Sequence, residues 1–169
     1  MIRKFRFIVW FLLISQAMVF SQSARVRQVK LTDFKLHSSA VITSSGEEIS
    51  SPGYLSKDYW FPVKVPSTVL SGLVANSVYP DPNMGLNNML IPDASDEFNK
   101  KYDLEKFSFI PGEANPWKKP YWYRTEFQVP ASDAGRCFHL IFKGINYRAG
   151  VWVNGSQVAD STVMAGMFA

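Results

Sequence analysis

The sequence reads as a mostly β chain, an antiparallel sandwich or barrel with short helical insertions between its strands. Three observations carry that reading. The last third alternates bulky and polar residues with a period of two, as half-buried strands do. Asn154-Gly155 lies between two short apolar runs, and a two-residue hairpin loop needs positive φ at both central positions. Turns rich in Gly and Pro separate the runs, which is the punctuation of an all-β domain. A length of 169 residues fits one domain, and 47% hydrophobic residues suffice for a packed core.

The first element is not part of that fold. MIRKFR is cationic, FIVWFLLISQAMVF is apolar and SQS is small, the three parts of a secretory leader. Val19 and Ser21 fit the −3 and −1 positions, so residues 1–21 are expected to be removed and residues 22–169 to form the domain. The product is then secreted or periplasmic, with no membrane attachment after cleavage. A retained anchor is the alternative, but the run is short for a span of roughly 20 residues. Arg3, Lys4 and Arg6 fall in the leader, so the net charge of +4 drops to near +1 without them. That is a poor basis for a nucleic-acid partner, which calls for a basic stripe.

Past the leader, Phe34 and Leu36, then Val41-Ile42, suggest one or two short strands. SSGEEISSPG reads as a turn or loop. VPSTVLSGLVANS reads as a short helix, with Ser67 as N-cap, Leu70, Leu73 and Val74 at helical spacing and Asn76 at the exit. YPDPNMGLNN follows as a loop. IPDASDEFNKKYDLEKF holds a second short helix capped by Asp93 or Ser95, and PGEANPWKKP, with three prolines, is irregular. Three strand signals close the chain. YWYRTEFQV and RCFHLIFK alternate, and RAGVWVNGSQVADS is the hairpin.

The chemistry to be found is binding rather than catalysis. Cys137 is the only cysteine, so no intrachain disulfide forms. Cys137, His139 and the distant His37 are too few for a metal site, and a buried thiol beside a strand histidine is the simpler expectation. No G-x-S-x-G and no phosphate-cradling glycine loop occurs. Asp93, Asp96 and Glu97 cluster, but acidic residues favour a helix N-terminus without further purpose. No cofactor is called for. The loop is the informative stretch. Pro80 and Pro82 limit its freedom when unfolded, while Asn87 and Asn88 offer donor and acceptor to hydroxyl groups. The same amides can equally cap turns. Among the tryptophans, Trp122 and Trp152 alternate with large residues in strands, so at least one of them is expected in the core. Trp117, between prolines and lysines, is the better candidate for an exposed face. Lys118-Lys119 reads as a solvated pair. Asn154-Gly155-Ser156 is a glycosylation sequon that the turn alone explains.

Taken in order, VPSTVLSGLVANSVYPDP, NN, PYWYRTEFQVP and LIFKGINYRAGVWVNGSQVA resemble the N-terminal sugar-binding domain of glycoside hydrolase family 2, in its exo-β-glucosaminidase and β-mannosidase branch. The resemblance covers about residues 60–168. It implies a jelly-roll, galactose-binding-like sandwich that precedes an immunoglobulin-like domain and a catalytic (β/α)8 barrel carrying two glutamates. It implies that the loop with Asp81, Asn87 and Asn88 borders the pocket for the end of a β-linked glycan, one of the two asparagines facing the sugar, and Trp117 is a separate candidate from the aromatic residues. A barrel alone takes roughly 250 residues, so the catalytic barrel is expected as a partner domain outside this chain. The sandwich is expected to lack its last strands. Two other readings stand beside this one, a stand-alone carbohydrate-binding module and a structural or partner-binding domain without sugar contact.

Overall fold

The computed structural model describes residues 26–162; the stretch expected to be a leader, residues 1–21, and the chain end from residue 163 lie outside them. The chain divides into two units, Met1–Lys30 and Leu31–Ala169. Of the first, residues 26–30 are exposed and irregular. All the regular elements among the described residues lie in the second.

Its centre is a three-stranded antiparallel sheet. Strand β1 (Asp33–Ser38) lies in the middle, flanked by β2 (Phe61–Lys64) and β3 (Tyr121–Arg124). Leu36 pairs with Phe61 on one side and with Tyr123 on the other. A second, two-stranded sheet is the hairpin of β4 (Val151–Val153) and β5 (Ser156–Ala159). Asn154 and Gly155 take φ of 49° and 83°, as a turn of this length requires.

The helices are short and rely on caps and packing, because so few turns do not hold alone in water. Helix α1 (Gly46–Ser50) lies in the stretch expected to be a turn or loop. Ser45 accepts from the Glu48 N–H and Glu48 reaches back to the Ser45 N–H, a reciprocal cap. Helix α2 (Val69–Ala75) begins one residue later than expected. Thr68, not Ser67, accepts from the Ser71 N–H, and Ser67 instead donates its hydroxyl to the Thr68 carbonyl. Asn76 closes this helix as expected, with its Nδ2 donating to Gly72 O and Pro62 O. Helix α3 (Asp96–Lys101) is capped by Ser95, while Asp93 serves the turn before it.

Two apolar clusters hold these pieces. Leu36, Val63, Leu73 and Tyr79 form one, closed by Phe34, Phe61, Phe109, Trp117 and Tyr121. Ile42, Ile49 and Trp60 form the other, with Tyr54 and Trp122 against it. Trp122 meets Trp152 edge-on at 5.5 Å, which ties the hairpin to the sheet.

Three expectations need correction. β3 ends at Arg124, so Thr125 to Val129 do not continue it, and Arg136 to Lys143 form no strand. Phe138 and Leu140 are correspondingly exposed, at 61% and 49%. Their alternation is real, but a strand also needs a ladder partner, and no described strand lies beside them. Cys137 is exposed rather than buried for the same reason.

Candidate functional site

The loop that begins at Tyr79 leaves the core abruptly. Tyr79 is 3% exposed and packs against Phe109 and Trp117 at ring separations of 6.1 and 5.9 Å. Burial pushes its hydroxyl pKa up to about 12, so it is a neutral phenol at physiological pH. Five residues on, Met84 is 65% exposed and Leu86 80%.

Between these ends the backbone is organised by its own polar side chains. Asp81 Oδ1 accepts from the Asn83 N–H at 2.9 Å and from Asn83 Nδ2 at 3.0 Å. The Asp81 carbonyl accepts from Asn87 Nδ2 at 3.0 Å. Residues Asn87–Leu90 then coil into one 3₁₀ turn. The two asparagines thus divide their work. Asn87 braces the loop, while the exposed Asn88 side chain makes no hydrogen bond with the described residues. Asp81, Pro82 and Asn83 also face α2 across a groove of about 350 Å³, whose other wall is Thr68, Leu70, Ser71, Val74 and Ala75.

Trp117 is not on this surface. Its ring is in the first apolar cluster and its indole N–H donates to Pro92 O at 2.7 Å. It stands under the loop as a pillar for Tyr79, not as an exposed platform. The neighbouring chain is pinned with it. Buried Asn99 accepts from the Asp93 N–H at 2.6 Å and donates to Asp93 O and Ala114 O, both at 2.8 Å. Asn115 bonds to Ala94 O and to the Trp117 N–H. Lys118 is not merely solvated, because it pairs with Asp96 and holds that carboxyl below its usual range. Asp96 is therefore engaged. Among the described residues no group of three or more His, Cys, Asp or Glu is placed to hold a metal ion.

The structure brings Asp81, Asn87 and Asn88 together and leaves Trp117 behind them. Asn83 was missed, although Asp-x-Asn after a proline is a turn-forming pattern that side-chain-to-backbone bonding explains. Asn99 and Asn115 were missed because nothing local distinguishes a buried amide from an exposed one.

The antiparallel sheets with few short helices, taken with the matches that follow, make this a galactose-binding-like β module. Residues 112–169 match the family model described as glycosyl hydrolase 2 galactose-binding domain-like. An exo-beta-D-glucosaminidase of Streptomyces avermitilis is 33% identical over 138 residues, which are 82% of this chain and 13% of that protein. Beta-mannosidase B of Neosartorya fischeri is 33% identical over 110 residues, 64% of this chain and 10% of that protein. The crystal structure of Amycolatopsis orientalis exo-chitosanase CsxA superimposes with a TM-score of 0.55 at 26% identity, covering 80% of this chain and 13% of that one. The chain belongs to the galactose-binding-like N-terminal domains of glycosyl hydrolase family 2. It spans about an eighth of the length of the glucosaminidases it matches.

Proposed function

We propose that this chain is the non-catalytic N-terminal domain of a secreted or periplasmic exo-acting β-glycosidase. Its loop borders the pocket that receives the terminal sugar of a β-linked glycan, glucosamine, mannose or galactose. The reacting carboxyls lie on a barrel domain of a longer polypeptide. Glycosidase chemistry needs two carboxyls about 5–5.5 Å apart for retention, or farther for inversion. Here Asp96 is tied to Lys118 and Asp93 to its own turn, so two of the three clustered acids are engaged in structure.

The observation that carries the reading is the loop itself. It is rooted by Tyr79, braced by Asn87 on the Asp81 carbonyl, and presents Asn88 with its amide unengaged. A pre-ordered amide binds hydroxyls without a large ordering cost. The similarity to proteins named exo-beta-D-glucosaminidase and beta-mannosidase supports the same reading.

Hydrolysis of p-nitrophenyl glycosides of β-D-glucosamine, β-D-mannose and β-D-galactose tests it. The purified chain should release no nitrophenol. The polypeptide captured from the source with an antibody to this chain should hydrolyse one of the three. Activity of the chain alone overturns the non-catalytic role, and inactivity of the captured polypeptide on all three overturns the assignment.

A further inference from the structure

Away from the loop, a small cavity of about 40 Å³ is lined by Lys35, Tyr54, Ser56, Trp60 and Arg124. Lys35 and Arg124 are directly opposite each other on β1 and β3. Two like charges in that position repel. Arg124 is fixed there from three sides. Its Nε donates to Ile49 O at 2.7 Å, its guanidinium lies 5.4 Å from the centre of the Tyr54 ring, and its Nη2 pairs with Glu126. Its side chain is 10% exposed, whereas that of Glu126 is 63% exposed. Lys35 makes no ion pair with any described residue. Glu126 offsets one of the two cations, so one positive charge remains in excess at the cavity.

The size narrows the ligand. A single water needs roughly 10–15 Å³ by the same measure, so the space takes about three non-hydrogen atoms. A pyranose ring does not fit, whereas a carboxylate, or the two or three leading oxygens of a sulfate, does. Ser56 adds a hydroxyl that can donate, and the rings of Tyr54 and Trp60 complete the lining.

We propose that this cavity binds an oxyanion, held between the Lys35 ammonium and the Arg124 guanidinium. The anion is either a free inorganic ion or the acidic group of a glycan. The site is separate from the loop and does not rest on the glycosidase reading.

The Arg124 Nε–H is sequestered by the Ile49 carbonyl, so its ¹H–¹⁵N resonance is a local reporter. The purified full chain is titrated with sodium sulfate, sodium glucuronate and neutral glucose at constant ionic strength. Sulfate and glucuronate should shift that resonance saturably, and glucose should not. Lys35→Gln, a change at an exposed side chain, should weaken binding about tenfold, as loss of a charge-assisted hydrogen bond does, and Lys35→Arg should restore it. Glucuronate tighter than sulfate assigns the site to an acidic sugar, and equal affinities assign it to the oxyanion alone. No saturable shift, or equal shifts in Lys35→Gln, overturns the proposal.

Discussion

Trp152 shows how narrow the tolerances are at the residue scale. Its ring lies in a slot between two glycines. A Cβ on Gly46 would sit 2.4 Å from the ring and one on Gly150 would sit 2.6 Å from it. Neither position needs a left-handed backbone, so the glycines are there for space. Gly150→Ala should cost about 1–3 kcal/mol through overpacking, read as a lower urea midpoint, and the double variant with Trp152→Ala should recover part of it. His37 gives the pH counterpart. Burial, opposed in part by the hydrogen bond with the Ser38 backbone and by Asp58, lowers its pKa below the ordinary 6.5, so the folded chain favours the neutral ring. The unfolded chain then binds more protons, and stability rises with pH through that window. Thermal stability should therefore be complete above pH 6.5 and fall as the pH drops below it. His37→Gln should flatten that fall, and an unchanged slope would contradict the assignment.

At the scale of elements, what sequence disclosed depended on how local each signal was. The Asn154-Gly155 hairpin and the spans of α2 and α3 were legible because turn and cap chemistry is written within a few residues. Helix α1 was missed because its glycine and serines read as turn residues, and the Ser45–Glu48 box was overlooked. For α2 the cap was misplaced by one. Thr68→Ala should cost about 1 kcal/mol and Ser67→Ala clearly less, a difference that paired denaturant curves resolve. The loops are held less visibly. Asn99 joins Asp93 to Ala114 by three hydrogen bonds at zero exposure. Asn99→Leu should cost more than about 2 kcal/mol, because buried backbone groups would lose their partners. A loss below half that figure would show that the loops are pinned elsewhere.

Across the whole molecule, the first cluster supports the loop from below. Leu36 and Val63 of the sheet pack with Leu73 of α2 and with Tyr79. Trp117 and Phe109 then flank Tyr79, so the loop inherits the rigidity of the core. The sequence placed Asp81, Asn87 and Asn88 in one loop, since they are neighbours in the chain. It misjudged Trp117 because flanking prolines and lysines describe the backbone around a ring and not what the ring touches. The strand signal at Arg136 to Lys143 failed differently. Period-two alternation tells which residues share a face, but pairing is a long-range property that no window reports. The galactose-binding-like class was nonetheless recoverable, because the motifs carrying it are strung in order along the chain.

The claim that the loop borders a saccharide pocket is tested most directly by Asn88→Ala in the polypeptide that contains this chain. Asn88 braces nothing through its side chain among the described residues, so the fold should be untouched and the melting temperature unchanged. The value of kcat/KM on the chromogenic β-glycoside should fall about tenfold, the loss of one or two hydrogen bonds to a hydroxyl. An unaltered kcat/KM for Asn88→Ala, with Asn87→Ala and Asp81→Ala equally silent, would contradict the account.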